Sequence, residues 1–203
     1  MTPAGVLIAL DSFTGRNGAV PFAGLLQAAN GNFYGTTTAG STVFVWALFV
    51  EAKPALGKVG ASVVISGNGL TGATGVSFGG TAATFTVLSA TEIKAKVPAG
   101  ALTGTVTVAT PAGSMSSPAP FDVTPQIKKF APASGPIGTV VTLTGVSLTQ
   151  TSAVTFDGVT AAFAVNSDTA ITATVPAGAA TGTIAISTAG GNAASKSSFS
   201  VTQ

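Results

Sequence analysis

The sequence predicts an all-β chain: two tandem sandwiches preceded by a short β-meander. Three observations lead there. Composition comes first: of 203 residues 46% are apolar and 7% charged, with 26 Gly and 11 Pro. Ala, Val and Ile set among Gly and Thr suit short strands joined by tight turns, while the Leu, Glu, Lys and Arg of long amphipathic helices are scarce. Second, a stretch of about 71 residues occurs twice, and a repeat of that length fixes the architecture. Third, apolar positions inside each copy recur every second residue, which is the period of a strand with one buried face.

Taken in order, residues 1–47 lie outside the repeat. They hold Leu10-Asp-Ser-Phe-Thr-Gly15, Asn17-Gly18, Pro21-Phe-Ala-Gly-Leu25, Asn30-Gly-Asn-Phe-Tyr-Gly-Thr-Thr37 and Thr42-Val-Phe44. Short apolar segments broken by Asn-Gly and Gly-rich turns predict a three- or four-stranded meander. The segment resembles one unit of the GloVer tandem repeat of bacterial exported proteins, which implies a propeller-like array. One blade cannot bury both of its faces, so a partial unit is expected to end a longer array. The chain is accordingly expected to lack its true N-terminus, with the segment either loosely held or packed against the first sandwich through Trp46 and Phe49. Met1 to Leu10 has no basic region and too short an apolar core for a signal peptide.

Residues 54–124 align without a gap on residues 132–202, and about 32 of the 71 positions are identical. Pro54-Ala-Leu-Gly-Lys-Val-Gly60 matches Pro132-Ala-Ser-Gly-Pro-Ile-Gly138, and Val76-Ser-Phe-Gly-Gly80 matches Val154-Thr-Phe-Asp-Gly158. Val97-Pro-Ala-Gly-Ala101 matches Val175-Pro-Ala-Gly-Ala179, and Phe121-Asp-Val-Thr124 matches Phe199-Ser-Val-Thr202. The alternating rows are Val63/Ile65, Val76/Phe78, Phe85/Val87, Ile93/Ala95/Val97 and Val106/Val108 in the first copy. Val141/Leu143, Val154/Phe156, Phe163/Val165, Ile171/Ala173/Val175 and Ile184/Ile186 repeat them in the second. Gly79-Gly80 and Asp157-Gly158 predict hairpins, and Pro98-Ala-Gly100 and Pro176-Ala-Gly178 predict strand ends.

Many short strands with closely spaced turns describe an immunoglobulin-like sandwich. The ordered set P-x-x-G-x-x-G, Gly67-x-x-Leu70, V-x-F-x-G, V-P-A-G and F-x-V-T resembles the IPT/TIG family and occurs twice. The family implies an immunoglobulin-like, early-set topology over about residues 48–202. Leu56 departs from the Ser that is commoner in the family and that the second copy has as Ser134. The expected organisation is a partial GloVer-like meander (1–47), a first IPT/TIG sandwich (48–125) and a second (126–203). The short junction Val123-Thr-Pro-Gln-Ile127 predicts a semi-rigid pair.

The residue inventory speaks against chemistry. The chain has no Cys and no His, which removes thiol nucleophiles, disulfides, imidazole bases and the commonest transition-metal ligands. Gly67-Asn-Gly69 and the glycines from Gly72 to Gly80 lack the Lys and the helix of a phosphate-binding loop, so turn roles are expected. Asp157 and Asp168, with Asn166 between them, could line a calcium loop. They lack its D-x-[DN]-x-[DN]-G pattern, and the first copy has Gly79 and Ala90 in their places. Lys196 beside Ser195 or Ser197 offers a Ser–Lys pair in form only, and no G-x-S-x-G elbow is present. No catalytic, metal or cofactor-binding residue is therefore expected, and no ligand-binding residue is singled out.

The calculated pI near 9.2 rests on eight Lys/Arg against six Asp/Glu, and the cations are scattered. Some IPT/TIG domains belong to Rel-type transcription factors that grip DNA with Arg- and Lys-rich loops. The single Arg16 lies outside the repeat, so no nucleic-acid partner is expected. The apolar run Val43 to Val50 is too short to span a bilayer, so no membrane insertion is expected. The expected role is a non-catalytic structural or interaction module of a bacterial cell-surface or secreted protein, with a protein or glycan partner. A carbohydrate-binding accessory module is the alternative, the chain's one Trp and one Tyr lying in residues 1–47. Uncharged edge strands would add end-to-end self-association.

Overall fold

The structure is a computed structural model, and it describes residues 19–21, 24, 26–27, 33–39, 43–46 and 49–203. The chain divides into two compact units, Met1–Leu48 and Phe49–Gln203.

In the first unit β1 (Ala19–Pro21) and β2 (Leu26–Gln27) pair antiparallel with different parts of β3 (Phe33–Ala39). β4 (Val43–Trp46) also runs antiparallel along β3, with Phe33 opposite Trp46 and Thr36 opposite Val43. Three short strands around one longer one agree with the expected meander. The packing expected of Trp46 lies outside the described residues, and Phe49 is 49% exposed.

The second unit holds two sandwiches. In the first, β5 (Val50–Lys53) edges a sheet that continues through β7 (Ser62–Gly67) and β11 (Glu92–Lys96) to β10 (Phe85–Ser89). Its other sheet runs β13 (Gly113–Ser116), β12 (Val106–Thr110), β8 (Gly75–Phe78), β9 (Thr81–Ala82). Short β6 (Leu56–Gly57) pairs in parallel with β14 (Asp122–Val123). The second sandwich repeats the plan. One sheet runs β15 (Gln126–Ala131), β17 (Val140–Val146), β21 (Ala170–Thr174), β20 (Phe163–Ser167). The other runs β16 (Ser134–Gly135), β23 (Gly191–Val201), β22 (Gly182–Thr188), β18 (Thr151–Phe156), β19 (Val159–Thr160).

Alternation places the cores. Val63, Ile65, Ile93, Ala95 and Val97 face Val76, Phe78, Val106 and Val108, and every one is at most 3% exposed. Their counterparts in the second sandwich, from Val141 to Ile186, are buried just as fully. Phe121 meets Phe78 edge-on at 5.0 Å, and Phe199 meets Phe156 edge-on at 5.4 Å. Such pairs add roughly 0.5–1.5 kcal/mol beyond the area they bury. Both predicted hairpins form. The turns carry positive φ at Gly79 (51°) and Gly80 (86°), and at Asp157 (47°) and Gly158 (84°), the handedness that matches strand twist. The glycines after Gly67 build a 3-10 turn at Leu70–Gly72, with Leu70 buried beneath it.

Two departures from strict repetition distinguish the copies. β23 runs unbroken for 11 residues, whereas its counterpart in the first sandwich stops at Ser116 and resumes at Asp122. Pro118 and Pro120 fall in that gap, and proline cannot donate to a ladder. β15 also carries a bulge, because Ile127 pairs with Gly145 while Lys129 pairs with Thr144. In β5, Val50 pairs with Gly67 and Glu51 with Ser66, so Lys128 has no counterpart there.

Candidate functional site

The residues singled out by sequence have structural employment. Asp157 occupies the turn between β18 and β19 at φ 47°. The Asp168 carboxylate accepts from the Ser147 N–H at 3.3 Å and from Thr149 Oγ1 at 3.0 Å, tying down the loop after β17. Asn166 Oδ1 accepts from Thr172 Oγ1 at 3.2 Å across the sheet. Among the described residues no three Asp or Glu side chains gather where they could hold a metal ion.

Ser195 is 6% exposed, and its hydroxyl accepts from the Ile184 N–H at 3.0 Å while donating to the Ser197 carbonyl at 2.7 Å. Ser117 repeats both bonds in the first sandwich, with Val106 and Ala119. Consecutive strand residues point to opposite faces, so Ser195 turns inward and the exposed Lys196 turns outward. The Ser–Lys reading has no geometry behind it.

The most specific constellation is one that sequence reasoning missed, and it joins the two sandwiches. Thr103 donates its N–H to Gln150 Oε1 at 2.7 Å, and Gln150 Nε2 donates back to the Thr103 carbonyl at 3.3 Å. The side-chain amide thus pairs with a backbone amide as a neighbouring strand would. Thr103 Oγ1 accepts from the Val123 N–H at 2.9 Å, fixing the receiving surface. Gly190 lies against the same place: a Cβ there would overlap the Val123 carbonyl oxygen and Thr103 Oγ1. Only Thr124 and Pro125 separate β14 from β15, and the Thr124 N–H is held by the Gly57 carbonyl at 3.0 Å. The signal was present in the repeat, where Gln150 and Gly190 align with Gly72 and Ala112. A difference between copies does not announce which contact it serves.

Concavities mark the surface formed by the described residues. A cleft of about 210 Å3 in the first sandwich lies between β5 and the Ser117–Phe121 segment, with Val50, Ser117 and Phe121 as its buried lining. Shallow grooves of about 340 and 310 Å3 occupy equivalent positions in the two sandwiches, on the outer sides of β10–β11 and β20–β21. Lys94 and Lys96 line the first groove, and Thr172 and Thr174 replace them in the second. The edge strands β10 and β20 contain no charged residue, and each carries a bulge, at Leu88 and at Asn166.

Two early-set-like sandwiches in series, with family motifs at matching turns, define the class, and the IPT/TIG domain matches residues 49–123 and 125–202. The chain belongs to the IPT/TIG domain family. No match exists among curated protein sequences. Similar solved structures include the surface glycan-binding protein of Prevotella bryantii, at 18% identity and TM-score 0.49 over 71% of this chain and 38% of that one. Another is a protein crystallised with xylogluco-oligosaccharide, at 18% identity and TM-score 0.46 over 76% and 41%. A third is SGBP-B of a xyloglucan utilization locus in Bacteroides uniformis, at 22% identity and TM-score 0.36 over 76% and 50%. The chain therefore spans half or less of each of these structures, and likeness at this level carries no argument about function.

Proposed function

We propose that this chain is a non-catalytic, semi-rigid spacer or adhesion-stalk module of a bacterial cell-surface or secreted protein, with residues 1–47 as a GloVer-type unit ahead of it. The two sandwiches, 48–125 and 126–203, act as one stiff segment. The observation that carries this reading is the joint of Gln150, Thr103 and Gly190. A hinge meant to bend needs slack in its linker and water between its domains. Here the linker is two residues long and the facing surfaces exchange hydrogen bonds, each contributing about 1 kcal/mol. The bulges at Leu88 and Asn166 interrupt strand edges whose lack of charge would otherwise favour pairing, which fits a module that must stay apart from its neighbours. No helix among the described residues is long and apolar enough to cross a membrane.

A chain without cysteine can be spin-labelled cleanly. Ser66→Cys with Ser152→Cys places one label in each sandwich of the full chain. Pulsed electron resonance is expected to give a single narrow distance distribution that broadens in Gln150→Ala. A broad distribution in the unmutated joint would refute the stalk reading. The same labelled chain can be screened against polysaccharides. Saturable binding would move the function to the carbohydrate-binding alternative.

A further inference from the structure

The cleft in the first sandwich is the place of a missing aromatic ring. Ala52 pairs with Ile65 in β5–β7, and Phe130 pairs with Leu143 in β15–β17. Ile65 and Leu143 are repeat equivalents, so Ala52 stands where the second sandwich has Phe130. There the Phe130 ring lies 6.3 Å from Phe199, whose own ring meets Phe156, making three rings in a row. The first sandwich keeps the last two as Phe121 and Phe78 and leaves the third place as a cleft of about 210 Å3. That is room for one ring, since apolar cavities of about 150 Å3 take up benzene.

The cleft stays open because its far wall cannot close as a strand. Pro118 and Pro120 interrupt the ladder there, where Lys196 and Ser198 continue it in the second copy. The wall also offers little to a sugar. The hydroxyl of Ser117 is already engaged by Val106 and Ala119, and the rest of the wall is Pro118, Ala119 and Pro120. Two further features suit a polypeptide. β5 is the end strand of its sheet, so an extended chain can lie along it, and Phe49 stands half-exposed at the rim.

We propose that this cleft is a docking slot for one aromatic side chain of a partner polypeptide running in extended conformation along β5. Phe130 is the internal template for the occupant. The inference is independent of the stalk reading, because the cleft lies wholly within one sandwich and does not involve the joint.

The test is amide-resolved NMR on the 15N-labelled full chain, titrated with acetyl-Val-Phe-Val-amide, acetyl-Val-Ala-Val-amide and benzyl alcohol. The Phe peptide is expected to shift the amides of Ala52, Ala55, Ser117, Ala119 and Phe121 and to bind at least about tenfold more tightly than the other two. Ala52→Phe supplies the ring from within, so it is expected to raise the melting temperature and abolish binding. Should that variant not fold, Ala52→Leu fills the slot less completely and is expected to weaken binding by about tenfold. Absence of shifts at the slot, or unchanged binding by the filled variant, overturns the proposal. Benzyl alcohol binding as tightly as the Phe peptide overturns the polypeptide assignment.

Discussion

At the scale of single residues, each copy is a control for the other. Gly69 takes φ 67° ahead of the 3-10 turn, and at the same repeat position Ser147 takes φ 59°. Left-handed backbone costs a residue with a side chain about 1–2 kcal/mol, and the Ser147 hydroxyl is buried with no hydrogen-bond partner. Asp168 offsets part of this by accepting from the Ser147 N–H, at a position that is Ala90 in the first copy. Ser147→Gly is therefore expected to stabilise the second sandwich by about 1 kcal/mol, read as a higher urea midpoint at unchanged slope. A lower midpoint would mean that the hydroxyl has a partner worth more than the strain.

At the scale of elements, the bulges on β10 and β20 act as guards. Val87 opposes Ile93 and Ser89 opposes Glu92, so Leu88 is the extra residue, and Asn166 is its equivalent. Each bulge kinks an edge that would otherwise be a straight, uncharged template for pairing. Deleting Leu88 and Asn166 together is expected to leave the sandwiches folded and to speed aggregation, measured by light scattering at fixed concentration. An equally monodisperse variant would show that the bulges serve only local geometry. Strands, hairpins and core rows of this scale were legible in the sequence. Alternation names buried positions such as Val63 and Ile65, and Asp157-Gly158 names its turn, because both effects act between near neighbours in the chain. The slot was not legible. The gapless alignment begins at Pro54, and the extra Lys128 in β15 hides the equivalence of Ala52 and Phe130. Pairing register was needed to recover it. The joint was hidden for another reason, since Thr103 and Gln150 are 47 residues apart and neither belongs to a motif.

At the scale of the whole molecule, the two halves of the joint are distributed unequally. The receiving half occurs in both copies: Thr181 Oγ1 accepts from the Val201 N–H at 2.9 Å just as Thr103 Oγ1 accepts from Val123. The inserting half, Gln150 with Gly190, belongs to the second copy alone, because the first has Gly72 and Ala112. Ala112 in the place of Gly190 would drive its Cβ into the carbonyl that Gly190 leaves room for. The tandem therefore has a direction written into it. A chain rebuilt with the second sandwich ahead of the first is expected to fold both sandwiches with unchanged midpoints, yet to give a broad label-to-label distance distribution. A chain with the second sandwich in both places is expected to stay narrow. The two units are alike in plan, and two differences between them fix the order in which they join, as grammar does with two words that mean something in only one order.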